Sequence, residues 1–417
     1  AQDVRAYFIT MQYWMGGSDV NVLNMIRHVV DRGADGPRKS LRGKIKAEPP
    51  VEYPEVGVYH PKMPGKFSDS AESLPAPTTG TTKGASNGTV GVLLLRSYLL
   101  SGNAGHYDGV IAALEARGLR VIPAFAAGLD SRPAIESFFY QNGQVAVDAV
   151  VSLTGFSLVG GPAYNDAKSA QEVLSRLDVP YVAAHPVEFQ TLDQWGGSDR
   201  GLLPVESTIM VAIPELDGST GPIVFGGRPG APGVTCTGCH HACTFSALDT
   251  AQDMHSCPER ASMLAARVSK LVTLKRSERR DRKVAIVLFN FPPNAGNIGS
   301  AAYLSVFESL MNTLGGMQRQ GYQIDMPESV DELRESVLQG NAAQYGSDAN
   351  VHTLIPANDH VRRERWLKEI EAQWGPAPGR QLSNGSSIFV LGKQFGNVLV
   401  CVQPSFGYEG DPMRLLF

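Results

Sequence analysis

Apolar runs alternate with amphipathic segments along most of this chain, and the alternation begins at residue 89. Residues 89–95 (TVGVLLL) form a continuous apolar run, which is typical of a parallel strand buried on both faces. Beyond them the pattern predicts helices at 107–117, near 131–141 and at 166–176, and strands at 119–125, 147–153, 179–184 and 209–216. This order predicts a doubly wound (Rossmann-like) parallel sheet with right-handed crossovers.

A second stretch of the same kind follows towards the C-terminus. Its pattern predicts helices at 301–314 and 328–338, and strands at 283–289, 388–392 and 398–404. We therefore predict an α/β protein with two doubly wound units, a first domain at 89–227 and a second at 284–417. Residues 1–88 are predicted to be a helical and extended connecting region, and 228–283 a Cys-rich insert with a long helix at 259–282.

The N-terminal region contains one clear amphipathic signal, at residues 19–31. Asp19 can cap a helix there, and one face of that helix would carry Val22, Met25, Ile26 and Val29. The chain starts at Ala1 rather than Met and stops on an apolar end at 415–417. We expect both ends to have been cut from a larger protein.

Composition narrows the class of protein. The 417 residues include 37 Lys and Arg against 41 Asp and Glu, a net charge of −4, and this balance argues against nucleic acid as a partner. No apolar stretch reaches the roughly 18 residues of a transmembrane helix. The sequence therefore predicts a protein without a transmembrane segment, located in the cytoplasm, with peripheral membrane contact left open.

Polar residues follow two of the predicted strands, where open α/β sheets bind their ligands. Arg96 and His106 follow the strand at 89–95, and His106 is either a ligand contact or a histidine with local hydrogen bonds near a helix start. Glu215 and Asp217 follow the predicted strand at 209–216 and would point to one side if that strand continued. They could act as bases or bind a hard cation, or form an ordinary capped turn.

Two loops in the second unit also directly follow predicted strands. Residues 290–299 (NFPPNAGNIG) lie between a predicted strand and helix, where backbone N–H groups favour an anion. Residues 403–412 (QPSFGYEGDP) combine aromatic and acidic side chains, which suit a flat apolar ligand with exchangeable protons or a packed turn. The chain has no G-x-x-x-x-G-K-[ST] motif, so we expect no P-loop ATP hydrolysis in it.

Four of the five cysteines lie within 22 positions of one another: Cys236, Cys239, Cys243 and Cys257. Four thiolates in one segment suit Zn²⁺ or an iron–sulfur cluster. Three close cysteines with a remote fourth favour a [4Fe–4S] cluster over zinc, although four reduced thiols remain the alternative. Cys401 lies in a predicted strand and is expected to be a core residue.

Five motifs, in order along the chain, resemble one known family. They are YWMGGSDVN (13–21), LVGGPAYND (158–166), VAIPELDG (211–218), FNFPPNAGNIGSAAYLSVF (289–307) and QPSFGYEGDPMRLLF (403–417). Together they resemble the large porphyrin-binding subunit of magnesium chelatase, with the cobaltochelatase large subunit as a related family. The cysteine segment departs from the common pattern and is similar to the variant found in bacteriochlorophyll-making bacteria.

The resemblance implies ATP-driven insertion of Mg²⁺ into protoporphyrin IX. Two AAA+ subunits would supply the ATPase, and further implied partners are a porphyrin-binding activator protein and the methyltransferase of the next step. Carboxylates are needed to strip water from Mg²⁺ and to accept pyrrole protons, and our candidates are Glu215 first, then Asp217 and Glu409. The candidate porphyrin contacts are Arg96, His106, Phe291, Asn294, Asn297, Phe406 and Tyr408.

Two other hypotheses stay open at this point. A cobaltochelatase-type protein would differ in the metal and the macrocycle. A porphyrin carrier or redox sensor would bind the macrocycle without chemistry of its own, with the cysteine segment reading the redox state. Reconstitution of the complete reaction separates both from a magnesium chelatase.

Overall fold

A computed structural model of the chain describes residues 2–76, 86–161, 164–237, 242–245, 253–290, 303–379 and 381–404. The chain divides into two compact units, Ala1–Arg276 and Ser277–Phe417. No helix in the described ranges is long and apolar enough to cross a membrane. The predicted α/β class is confirmed, because helices cover sheets in each unit.

Among the described residues, the first unit is built on an eight-stranded sheet with a parallel centre. Its helices are α1 (Gln2–Gly16), α2 (Asp19–Gly33), α3 (Arg96–Leu100), α4 (Gly105–Glu115), α5 (Arg132–Phe138), α6 (Ala167–Leu177), α7 (Leu192–Gly196), α8 (Pro204–Glu206), α9 (Ile213–Leu216) and α10 (Pro258–Arg276). Its strands are β1 (Val56–Tyr59), β2 (Phe67–Ser68), β3 (Thr89–Leu95), β4 (Arg120–Ala126), β5 (Tyr140–Gln141), β6 (Gln144–Val145), β7 (Ala149–Ser152), β8 (Gly160–Gly161), β9 (Tyr164–Asn165), β10 (Tyr181–Thr191), β11 (Ile223–Arg228) and β12 (His255–Ser256).

The strand order of the large sheet is β12-β11-β10-β7-β3-β4-β1-β2. The five central strands pair in parallel, whereas β1 and β2 at one end of the sheet and β12 at the other pair antiparallel with their neighbours. The sheet is therefore mixed. The prediction of a parallel sheet holds for its centre and not for its two ends. The two hairpins β5–β6 and β8–β9 lie outside it.

Alternate residues of the central strands supply two cores, one on each face of the sheet. Val92 packs with residues of α4 and α10, whereas its neighbour Leu93 packs with residues of α5 and α6. This is the pattern expected when successive side chains of a strand point to opposite faces. Gly91 in β3 lets the Phe139 ring approach closely, since a Cβ there would lie 2.5 Å from that ring.

The predicted strand at 209–216 is wrong, because residues 204–216 are helical. Pro204 and Glu206 begin a helical segment that continues through a π-helical turn at Ser207–Ala212 into α9. The buried Glu206 carboxylate accepts hydrogen bonds from the Leu203 backbone N–H (3.0 Å) and the Gln190 amide (2.5 Å). A short apolar run does not distinguish strand from helix, so the capping residues decide the structure here.

The second unit has a smaller sheet. Its elements are β13 (Val284–Leu288), α11 (Val306–Arg319), α12 (Val330–Leu338), α13 (Ala342–Tyr345), β14 (Val351–Pro356), α14 (Ala357–Arg363), α15 (Leu367–Trp374), β15 (Ser387–Phe395) and β16 (Val398–Val402). The described strands run in the order β13-β16-β15-β14, and only the β13–β16 pair is parallel. Leu314 of α11 and Leu333 of α12 pack with the sheet residues Val398 and Val400. The long helix predicted to reach residue 282 ends earlier, at Arg276 in the first unit.

Candidate functional site

A cavity of about 590 Å³ opens at the carboxyl ends of β3 and β4. Its lining includes Arg96 and Tyr98 from α3, Leu129 and Phe156 from two loops, and Glu188 from β10. Carboxyl ends of adjacent parallel strands are where open α/β sheets bind ligands, and the volume lies within the usual range of small-molecule sites. The combination of apolar walls and a few charged groups suits an organic ligand with acidic substituents.

Arg96, which directly follows β3, contributes a positive charge to this cavity. Its Nε donates to the Pro54 carbonyl at 2.9 Å, and its Nη2 donates to the Tyr53 carbonyl at 3.1 Å. Because two nitrogens are held by backbone oxygens, the guanidinium is fixed in place without losing its charge. A positioned cation of this kind is suited to bind a carboxylate.

Glu188 was not predicted from the sequence, since the strand that carries it was expected to end at residue 184. The strand β10 continues to Thr191, and it brings Glu188 to the cavity beside Tyr98. The Tyr98 hydroxyl donates a hydrogen bond to the Glu188 carboxylate. Burial raises the pKa of Glu188, although the hydrogen bond from Tyr98 and the charge of Arg228 oppose that rise.

His106 lies behind the cavity wall rather than on it. It is fully buried in the first turn of α4, and its ring makes an edge contact with Tyr98 (5.0 Å) and stacks on Phe225 (5.9 Å). Neither ring nitrogen has a hydrogen-bond partner within the part of the chain that the structure describes. Burial, reinforced by His255, lowers the pKa of His106 to about 3, so the ring is neutral. His106 therefore supports Tyr98 instead of lining the cavity.

Glu215 and Asp217 do not share one side, because the segment that carries them is helical. Glu215 is exposed, whereas Asp217 is only 2% exposed. One Asp217 oxygen accepts from the Ser157 hydroxyl at 3.0 Å, and the other accepts from the Leu158 N–H at 2.7 Å. Burial raises the pKa of Asp217, and the two hydrogen bonds counteract this. Asp217 thus anchors the loop that carries Phe156 into the cavity.

The two motif loops of the second unit leave neighbouring strands. The Gln403 N–H donates to the Leu288 carbonyl at 3.0 Å, and the Asn290 side-chain amide donates to the Gln403 carbonyl at 3.4 Å. Because β13 and β16 are parallel, both loops start at the same edge of that sheet. The predicted contacts within them lie outside the described residues: Phe291, Asn294, Asn297, Phe406, Tyr408 and Glu409.

Three of the four clustered cysteines lie in described positions. Cys236 and Cys243 lie opposite each other beside an isolated antiparallel bridge between Thr235 and Thr244, and the Cys236 N–H donates to the Cys243 carbonyl at 2.8 Å. Cys257 directly precedes α10, and the nearby His255 ring contacts Phe245 at 5.6 Å. Among described residues no group of three or more His, Cys, Asp or Glu is placed to hold a metal ion, and Cys239 lies outside them.

Comparisons with known proteins agree on the relationship of this chain. A family model described as CobN/Magnesium Chelatase matches residues 11–417. The chain is 52% identical over 418 residues to a magnesium-chelatase subunit of Cereibacter sphaeroides, and the match covers 100% of this chain and 34% of that protein. It is 38% identical over 427 residues to the chloroplastic magnesium-chelatase subunit ChlH of Oryza sativa subsp. indica, with 100% of this chain and 29% of the relative covered.

A solved structure shares the fold. It is the catalytic subunit of cobaltochelatase from Mycobacterium tuberculosis, with a TM-score of 0.65 and 21% sequence identity. The match covers 96% of this chain and 31% of that one. The chain thus spans about a third of the length of the relatives it matches.

Proposed function

Because this chain belongs to the CobN/magnesium chelatase family, we propose that it forms part of the large porphyrin-binding subunit of a magnesium chelatase. The complete enzyme would insert Mg²⁺ into protoporphyrin IX with energy from ATP, on the route to bacteriochlorophyll. The observation that carries this proposal is the 52% identity to a magnesium-chelatase subunit along the whole chain. Identity to the solved cobaltochelatase subunit is only 21%, which favours magnesium over cobalt.

The reaction exchanges two pyrrole protons for one Mg²⁺ ion, so bases and metal-binding oxygens are both required. We propose Glu215 and Glu409 as the carboxylates that meet the incoming ion and accept protons. The exposure of Glu215 supports this role, since a hydrated cation can reach it. Both oxygens of Asp217 accept hydrogen bonds within the protein, and we therefore propose a positioning role for Asp217.

We place a porphyrin propionate at Arg96, in the cavity at the end of β3. The fixed guanidinium and the apolar side chains of Leu129 and Phe156 support this placement, because they match a carboxylate on an apolar ring. His106 would act through Tyr98. Phe291, Asn294, Asn297, Phe406 and Tyr408 stay proposed porphyrin contacts, as the family motifs that carry them imply.

The partners proposed for the complete subunit are two AAA+ ATPase subunits, a porphyrin-binding activator protein and the methyltransferase of the next step. The lack of a P-loop motif in these 417 residues is consistent with ATP hydrolysis on other subunits. We propose a cytoplasmic location, with peripheral membrane contact left open. We also propose that each of the two sheets belongs to a doubly wound unit in the complete subunit.

We propose in addition that Cys236, Cys239, Cys243 and Cys257 bind a [4Fe–4S] cluster or Zn²⁺. The directly opposed Cys236 and Cys243 support this, since opposed positions of an antiparallel pair bring side chains within reach of one ion. Anaerobic purification followed by metal analysis and absorption spectroscopy tests the site. Loss of iron or zinc in Cys243→Ser, with metal retained in Cys401→Ser, is the expected result; metal-free wild-type protein contradicts it.

Reconstitution tests the main proposal. The complete subunit is combined with its ATPase partners, protoporphyrin IX, ATP and Mg²⁺, and the fluorescence of Mg-porphyrin is followed. Formation of Mg-porphyrin is the expected result, and product only with Co²⁺ would assign the chain to the cobaltochelatase alternative. Quenching of Trp fluorescence by the porphyrin without any metal insertion would identify a carrier instead.

A further inference from the structure

The helical hairpin formed by α1 and α2 has its polar side buried and its apolar side exposed. On α2 the inward positions are Asn21 and Asn24, which are 0% and 3% exposed. The Asn21 side chain donates to the Val51 carbonyl and accepts from the Val51 N–H, both at 2.8 Å. The Asn24 oxygen accepts from the Glu48 N–H at 3.1 Å. The helix is therefore held by amides that clamp the extended segment beside it.

The opposite side of α2 carries the apolar stripe that the sequence pattern shows. Val22, Ile26 and Val29 recur at helical spacing, and Ile26 is 53% exposed. An amphipathic helix of a globular protein normally turns such a stripe towards a core. Here the stripe is not needed to hold the helix in place, so it is available for another surface.

The helix α1 likewise has an inward side held by a hydrogen bond and an outward side that is apolar. Tyr13 is its buried anchor, with a hydrogen bond from the hydroxyl to the Glu48 carbonyl. The other face of α1 is exposed and carries Val4, Tyr7, Phe8, Trp14 and Met15. We call these residues, together with Val22, Leu23, Ile26 and Val29, the apolar hairpin surface. Exposed apolar side chains in this number, on two helices that pack together, mark an interaction site.

The chemistry of this surface indicates a permanent contact. The helix α1 contains only two charged residues, Asp3 and Arg5, and the stripe on α2 contains none. Transient interfaces are about as polar as the rest of a protein surface, whereas permanent ones resemble a core that has been divided in two. The occupant must accordingly be apolar and uncharged.

We propose that the apolar hairpin surface is covered by an apolar part of the same subunit, outside residues 1–417. The argument for this occupant is length, since the matched segment makes up only 34% of the Cereibacter sphaeroides protein. About two-thirds of such a polypeptide lies outside the match and is tethered to this surface. A tethered segment is present at high effective concentration, which favours it over a second copy or a separate partner. The proposal rests on family membership and not on the porphyrin chemistry.

Thiol accessibility in the complete subunit tests this proposal. Ile26→Cys places a thiol in the apolar hairpin surface, and Gln171→Cys places one on the exposed side of α6 as the matched control. Both are labelled with a maleimide, and peptide-resolved mass spectrometry separates these thiols from the native cysteines. We expect labelling at position 26 to be at least about tenfold slower than at position 171, because a covered site reacts only through local opening.

Each other outcome overturns the proposal. Equal rates at the two positions would mean that the surface is exposed in the complete subunit. Protection that increases with protein concentration would identify a second copy as the occupant, and protection only after addition of the ATPase subunits would identify a separate partner. Val29→Cys is a second probe of the same surface, and thermal unfolding of each variant verifies that it is folded.

Discussion

The carboxylate of Asp217 lies 2.7 Å from the backbone nitrogen of Leu158. This contact joins the end of a helix to the loop after β7, and that loop carries Phe156 into the cavity at the carboxyl edge of the sheet. A buried carboxylate with two donors is a structural anchor, since both of its oxygens are already used. Part of the VAIPELDG motif therefore stabilises the fold, because its Asp217 holds this loop in place.

Replacing Asp217 by Asn keeps the shape of the anchor and removes its charge. One of the two donors would then face an NH₂ group, so we expect the free energy of unfolding to fall by about 1.5–3 kcal/mol. Denaturant unfolding monitored by circular dichroism measures this. The exposed Asp199→Asn is the control and should change stability by less than about 0.5 kcal/mol. Equal stability of the two variants would contradict the anchor.

Arg96→Lys tests whether a fixed guanidinium binds the porphyrin. Lysine cannot donate to two backbone carbonyls in the fork geometry seen here and still present its charge to the cavity. We expect porphyrin affinity to fall by about tenfold, which corresponds to about 1.4 kcal/mol. Titration with protoporphyrin IX and Trp quenching gives the dissociation constant. The exposed Arg117→Lys should bind as the wild type does, and an unchanged affinity in Arg96→Lys removes Arg96 from the site.

The buried His106 predicts how the free energy of unfolding depends on pH. Its pKa of about 3 in the folded chain lies below the value of 6.5 that applies when the chain is unfolded. The unfolded state therefore takes up the proton first, so the contribution to stability is complete above pH 6.5 and is lost as the pH falls towards 3. For wild type, this residue alone should lower the free energy of unfolding by about 2 kcal/mol between about pH 7 and pH 5.

His106→Phe should remove that part of the pH dependence and retain the ring contacts with Tyr98 and Phe225. Because His106 lies behind the cavity, we expect porphyrin binding within about twofold of wild type, as for a residue without direct ligand contact. Denaturant unfolding at the two pH values, together with the porphyrin titration, checks both parts. The exposed His352→Gln serves as the control. A large loss of porphyrin affinity in His106→Phe would restore a direct role in binding.

Glu215→Gln separates binding from insertion. Glutamine retains the size and polarity of the side chain, but it neither accepts a proton at neutral pH nor attracts a cation. We expect porphyrin affinity to stay unchanged and the rate of Mg²⁺ insertion to fall by at least about a hundredfold, a typical contribution of general acid–base catalysis. The exposed Glu172→Gln on α6 should insert Mg²⁺ at the wild-type rate. Normal turnover in Glu215→Gln would exclude Glu215 as a catalytic residue.

Sequence patterns located the central strands well, because their apolar runs are too continuous for any exposed structure. The predicted strand at 89–95 has the same bounds as β3, and that at 119–125 differs from β4 by one residue at each end. The pattern failed at 209–216, where Glu206 and Pro204 begin a helix that the apolar run alone does not reveal. It also missed Glu188, since the length of β10 depends on pairing with β11.

The amino-acid sequence by itself determined the α/β class, the central strands, the position of Arg96 after the first of them and the family relationship. These properties depend on local periodicity and on motifs, which involve residues that are close together in the sequence. Tertiary structure decided which faces are buried and which side chains meet. Asn21 lies inward and Ile26 outward because the amides can satisfy the backbone near Val51, and Asp217 is an anchor because Leu158 lies opposite it. Such choices depend on partners far away in sequence, and only the folded chain brings them together.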